Sequence, residues 1–305
     1  MGYVTDTLLR LQRLAERGHL RPGMTIADFG DQTLQLNQPE DLEKAKAFIR
    51  TFNPDWREKT LYDGPFPMPI HMAPIFREAG FEYASFDLNG YGGSFVLDLN
   101  SPRIEHSMRG KVDLLMNQGT TEHVVNQMTA FFHAHELTKV GGVMWHDVPV
   151  SGFGAHALMA ATPLFWKYLV DYNGYDVLLA KVRSIEKRSH GGQVFHYDDR
   201  LDFIERLSGL VTEGLMLDIQ LRKTSDHVFL TPMDTNAPSL SVVKTLASCI
   251  EQLYGESEST EKIGRSLEAF CGKWSPQTQV LWPQDGQAKG TASLRFLPKD
   301  PSVAT

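Results

Sequence analysis

Apolar residues recur at helical spacing from the start of the chain. Leu8, Leu11, Leu14 and Ala15 share one face, and "RPG" (21–23) stops that helix. "MTIADFG" (24–30) then reads as a buried strand ending at a glycine, and "PEDLEKAKAFIRTF" (39–52) as a helix with Pro in its first turn and acids early. A Pro- and aromatic-rich loop (53–69) and a short helix, "IHMAPIFREAGF", lead to a second strand, "YASFD" (83–87). "SFVLDLN" (94–100) is a third extended piece and "VDLLMN" (112–117) a fourth. "EHVVNQMTAFFHAHELT" is a helix and "GGVMWHDVP" (141–149) a fifth strand. Beyond these, "ATPLFWKYLVDYNGY" reads as a helix, "YDVLLAKVRS" as a strand and "RLDFIERLSGLV" as a helix. "GLMLDIQLRKTSDHVFLTP" (214–232) has two β-rich halves around "KTSD" and suggests a hairpin. Two terminal helices and a polar tail close the chain.

The strands are apolar runs rather than alternating ones, and helices separate them. A mostly parallel sheet covered on both faces follows, with a C-terminal antiparallel hairpin at one edge. The expected fold is a Rossmann-like α/β three-layer sandwich with helical insertions. Residues 1–240 would carry it, with an insertion at 33–68 as a lid. Residues 241–305 would add terminal helices and a flexible tail. In such sheets ligands bind at the carboxyl ends of the strands, where strand order reverses.

Polar groups gather at those ends. Asp28, Gly30, Asp31 and Gln32 follow strand one, and Asp87, Leu88 and Asn89 follow strand two. Asp98 and Leu99 lie in the third piece, "NQGTTEH" (117–123) follows strand four, and His146 and Asp147 end strand five. This array resembles the class I S-adenosylmethionine-dependent methyltransferases over residues 24–183, about half the chain. The resemblance is carried by the turn with Glu122-His123, by Lys139-Val140-Gly141-Gly142, and by the strand ending in Pro149.

The resemblance implies S-adenosyl-L-methionine as cofactor and methyl transfer to a small-molecule acceptor. Its implied cofactor-binding residues are Asp28, Phe29, Gly30, Asp31, Gln32, Asp87, Leu88, Asn89, Asp98, Leu99, Asn117, Gln118 and Gly119. Asp87 would accept the ribose hydroxyls, as an acid does in dinucleotide folds. The first motif departs from the family, because Asp31 and Gln32 stand where small residues are usual. About fifty residues separate strands one and two, and only "LNGYGG" lies between strand two and the third piece. That is too short for an ordinary parallel crossover, so the third strand should be degenerate or turned back. "NGYGGS" is followed by a strand pattern rather than a helix and reads as a turn, not a phosphate loop.

His123 and His146 are candidate general bases, with Glu122 beside them. Thr121 is expected to cap the helix that follows, and Asn117, Gly119 and His123 to face the ligand. The sequence holds no H-E-x-x-H and no Cys/His cluster, so no catalytic metal is expected. Trp56, Tyr62 and Phe66 read as packing.

The 305 residues, 42% of them hydrophobic, support a sizeable core, and the formal net charge of −7 gives no basic footprint for nucleic acid or anionic lipid. Cys249 and Cys271 form no disulfide framework. A cytoplasmic protein without nucleic-acid or membrane partners is the expectation. Two other readings use the same residues: aminocarboxypropyl transfer or cyclisation from the same cofactor, and a non-catalytic nucleoside-binding module.

Overall fold

The computed structural model describes residues 2–58, 60–153, 156–185, 194–197, 214–234, 239–274, 278–281 and 293–296. The chain divides into two compact units. The first comprises Met1–Pro163 and Asp176–Thr224, the second Leu164–Tyr175 and Ser225–Thr305.

The first unit runs α1 (Thr5–Glu16), β1 (Thr25–Phe29), β2 (Thr33–Leu36), α2 (Pro39–Phe52), β3 (Met68–His71), α3 (Met72–Glu78), β4 (Glu82–Asp87) and β5 (Phe95–Val96). It continues through β6 (Val112–Gln118), α4 (Gln127–Leu137), β7 (Thr138–Ser151), β8 (Asp176–Ile185), β9 (Val194–Tyr197) and β10 (Gly214–Arg222). Eight strands form one sheet in the order β5-β4-β1-β6-β7-β10-β8-β9. β5, β4, β1, β6 and β7 are parallel, and β10 pairs antiparallel with both β7 and β8. The expected Rossmann-like sheet is therefore present. Strand order reverses between β1 and β6, which opens the crevice that such folds use for ligands.

Alternation along the strands explains the layers. Ile26, Leu114, Met116, Val143 and Trp145 point to one face and join a core with Leu8, Leu11, Phe48 and Phe76 from α1, α2 and α3. The opposite face is covered by α4, whose Phe131 ring lies 5.4 Å from the His146 ring. The insertion packs into the first face. β2 and β3 pair antiparallel, and Trp56 is buried with its indole N–H donating to Glu78 at 2.7 Å.

Three expectations change in detail. The antiparallel partners of β10 are β7 and β8 rather than the segment after "KTSD", because β10 inserts between them, and residues 225–234 are not a strand. β5 is a degenerate strand of two residues, but it is parallel to β4 and not turned back. The short connection manages this through Gly90, Gly92 and Gly93, all at positive φ, where glycine carries no Cβ penalty. Finally, α4 begins at Gln127, capped by Asn126, whose side chain accepts from the Thr129 N–H. Thr121 heads a separate 3-10 turn, Thr121–His123. The expected helix at 200–211 lies outside the described residues.

The second unit is built on α5 (Pro163–Asn173), α6 (Leu240–Tyr254) and α7 (Thr260–Trp274), with a hairpin of β11 (Thr278–Leu281) and β12 (Ser293–Phe296). Trp166, Tyr172, Phe229, Ile250 and Phe270 are buried in it. The Asn173 amide clamps both backbone groups of Leu230. No described helix is long and apolar enough to cross a membrane.

Candidate active site

The crevice between β1 and β6 is latched by side chains. Gln32 donates to the Phe29 carbonyl at 2.8 Å and to Thr120 Oγ1 at 3.0 Å, and the Thr120 hydroxyl donates to the same carbonyl at 2.7 Å. Gln32 is thus buried and spent on joining two loops. Gly30 lies between them at φ +80, with its N–H donating to the Phe86 carbonyl at 2.7 Å. A Cβ there would stand 3.1 Å from Gln32 and 3.3 Å from Thr120, so the tight turn requires glycine.

Asp87 ends β4 beside this turn. Its Oδ1 accepts from the Asn89 N–H at 2.8 Å and its Oδ2 from the Asp31 N–H at 3.3 Å. Each oxygen keeps a further lone pair, and the carboxylate is only half-buried. Asp31 itself lies 3.3 Å from His71 Nδ1, and a Cβ on Gly92 would run into its carboxylate. His71 and Gly92 enter the site without having been expected there. Leu88 and Asn89 are exposed at the rim.

Several expected contacts turn inward. Asp28 is fully buried and its two oxygens accept from the hydroxyls of Tyr3 at 2.6 Å and Tyr83 at 2.7 Å. Burial pushes its pKa up to about 7. Its place is explained by alternation, which puts it on the same face as Ile26. Asn117 is equally buried. Its amide donates to Thr121 Oγ1 at 2.8 Å and to His146 Nδ1 at 3.0 Å, and its carbonyl accepts from the Thr121 N–H. These bonds hold the turn after β6. His146 lies against the core under Phe131, and burial lowers its pKa to about 3. It faces Asn117 inside the protein and presents almost no surface to solvent. Asp98 is exposed and caps Asn100, while Leu99 is buried and its carbonyl accepts from Thr129.

The turn after β6 is the unsatisfied part. Gln118 and Glu122 are buried, and neither Gln118 Nε2 nor either Glu122 carboxylate oxygen has a hydrogen-bond partner. Buried polar atoms are nearly always paired, so these three unpaired atoms in one turn need a partner that the described residues do not supply. Burial raises the Glu122 pKa to about 7. Gly119, at φ +74, lets the chain turn from Gln118 to Glu122. His123 is exposed, its pKa lowered by partial burial and by the neighbouring His156. The two imidazoles meet edge-on with centroids 4.8 Å apart. His156 comes from the loop after β7, and no spacing in the sequence links it to His123.

Asp147 was expected only as a strand end. It is bound by Arg183 at 2.7 Å and by Arg10 at 3.2 Å, and Arg10 also reaches Asp218 at 2.9 Å. Arg10 comes from α1, so this buried charge network ties the first helix to the far half of the sheet.

No protein-family model and no curated protein matches the chain. Among solved structures, it is similar to a SAM-dependent methyltransferase from Archaeoglobus fulgidus at 14% identity and a TM-score of 0.37, over 71% of this chain and 93% of that one. It is also similar to the 1,6-didemethyltoxoflavin-N1-methyltransferase of Burkholderia thailandensis, solved with S-adenosylhomocysteine, at 12% identity and a TM-score of 0.37, over 72% of this chain and 76% of that one. A third, from Aquifex aeolicus, is another SAM-dependent methyltransferase at 10% identity and a TM-score of 0.33, over 72% of this chain and 99% of that one.

Proposed function

We propose that this chain binds S-adenosylmethionine in the β1/β6 crevice and transfers its methyl group to a small-molecule acceptor. The observation that carries the reading is Asp87. It stands at the end of the second parallel strand, beside the switch point, with both oxygens oriented by backbone N–H groups and with lone pairs to spare. A carboxylate so placed suits the vicinal hydroxyls of a ribose. Gly30 supports the reading because its positive φ makes the tight turn from which the Asp31 N–H reaches Asp87.

Methyl transfer asks little covalent work of the protein. It needs the acceptor aligned with the sulfonium methyl and shielded from water. Gln118, Glu122 and His123, in the turn after β6, are the polar groups available to orient an acceptor. The carboxylate of Asp31 also favours a second reading. It walls the region where the methionine tail would lie, so a shifted tail could present its aminocarboxypropyl group instead of the methyl.

By-product analysis separates the two. Incubation with S-adenosylmethionine and a panel of small acceptors should release S-adenosylhomocysteine for methyl transfer and methylthioadenosine for the alternative. A chain that binds neither S-adenosylmethionine nor S-adenosylhomocysteine would refute both.

A further inference from the structure

Glu122, His123 and His156 bring three potential metal-ligating atoms within 4.8 Å of one another. The three come from two places in the chain, the 3-10 turn after β6 and the loop after β7. The loop is held against the turn by the backbone, since the N–H groups of Leu158 and Met159 both donate to the Glu122 carbonyl, at 2.9 and 3.0 Å. The His156 N–H is in turn fixed to the Phe153 carbonyl at 2.8 Å. The juxtaposition is thus built into the backbone.

The donor set is chemically specific. Two imidazoles and one carboxylate are the protein ligands of a class of catalytic zinc centres that leave the fourth position open. Glu122 adds an independent sign. Its side chain is buried, and both carboxylate oxygens lack a hydrogen-bond partner. A buried carboxylate with no hydrogen-bonding side chain beside it is costly, and a bound cation would offset that cost. Both histidines are exposed, so an ion has an entry path and room for a further ligand. Zinc held at about 2.0–2.2 Å from nitrogen and oxygen places neighbouring ligand atoms about 3.3–3.5 Å apart in a tetrahedron. Rotation of the two exposed imidazoles about their side-chain bonds would close the remaining gap.

We propose that Glu122, His123 and His156 form a binding site for a divalent transition-metal ion of the zinc type, open on one side to an oxygen-bearing ligand. The ion site stands on these residues alone. Its link to the acceptor rests on the methyl-transfer reading: an acceptor hydroxyl or carboxylate at the open position would be oriented and made more acidic by the ion.

The test uses the full-length, tag-free protein, stripped of metal with a chelator, in the absence of S-adenosylmethionine. Co2+ is titrated while its visible absorption is followed, and Zn2+ is titrated by calorimetry. The expected result is one equivalent per chain, with a tetrahedral Co2+ spectrum that Zn2+ displaces, and at least tenfold weaker binding in each of His123→Ala and His156→Ala. Both substitutions are at exposed side chains, and circular dichroism would confirm the fold. No saturable binding, or equal affinity in the wild type and both variants, would overturn the site. Metal binding without S-adenosylhomocysteine binding would leave the site standing and remove the methyl-transfer reading. S-adenosylhomocysteine binding without metal binding would do the reverse.

Discussion

The carboxylate of Asp31 occupies the space beside Gly92 so closely that a Cβ on Gly92 would lie 2.4 Å from Oδ2 of Asp31. Gly92 also holds φ +64. The loop after β4 therefore lies on the Asp31 carboxylate with no room for a side chain at residue 92 unless Asp31 moves. Gly92→Ala should strain the backbone by about 1–2 kcal/mol and push the two loops apart. Because Gly92 is exposed, the melting temperature should fall by only a few degrees, while the affinity for S-adenosylhomocysteine falls tenfold or more. Adding Asp31→Ala should restore part of that affinity. Equal affinity in the wild type and Gly92→Ala, measured by calorimetry, would detach this contact from ligand binding.

Asp87 and Asp98 test the ribose assignment. Charge-assisted hydrogen bonds are worth about 1.5–3 kcal/mol. Asp87→Ala should therefore weaken cofactor binding by one to two orders of magnitude. Asp98→Ala removes exposed turn bonds from the Asn100 N–H and side-chain amide and should change the dissociation constant less than threefold. Comparable losses in the two variants would move the ribose elsewhere.

The strands were legible because buried parallel strands are apolar throughout, and the crevice followed from their ends. Side-chain direction was not legible. Asp28 sits at the end of an apolar run like a ligand-binding acid, yet its partners Tyr3 and Tyr83 lie on other elements and draw it into the core. Asn117 and His146 likewise satisfy each other across two neighbouring strands, so their polarity is internal. The helix start was misplaced because Thr121-Glu122 and Asn126 are both good caps, and the choice is made by the bonds Asn117 gives to Thr121. The approach of His156 to His123 depends on how the loop after β7 folds back, which no local pattern records.

Stability against pH should show two opposed contributions. The Asp28 pKa is raised by folding, from 3.8 to about 7, so the folded state holds its proton more tightly, and this contribution is lost as pH rises through that window. The His146 pKa is depressed from 6.5 to about 3, so its contribution is present above pH 6.5 and lost as pH falls towards 3. Relative to the wild type, Asp28→Asn should gain up to about 1 kcal/mol per pH unit between pH 4 and 7. His146→Gln should lose less stability on acidification below pH 6.5. Urea denaturation across pH 3–8 reads both slopes, and profiles parallel to the wild type would show that neither group is perturbed.

The turn after β6 separates folding from binding. Thr121→Ala removes the hydroxyl that accepts from Asn117 and should cost about 1 kcal/mol of stability. Its effect on ligand affinity should be small. Gly119→Val forces a β-branched residue to φ +74 and should cost both stability and binding. Thermal melts with and without S-adenosylhomocysteine distinguish the two patterns. A Thr121→Ala variant as stable as the wild type would remove the turn from the folding account.

The most direct measurement is a calorimetric titration of the wild-type chain and Asp87→Ala with S-adenosylhomocysteine. The account predicts saturable micromolar binding of one equivalent to the wild type, weakened at least tenfold in Asp87→Ala. No heat of binding to the wild type at millimolar ligand, or equal affinity in the two proteins, would contradict it.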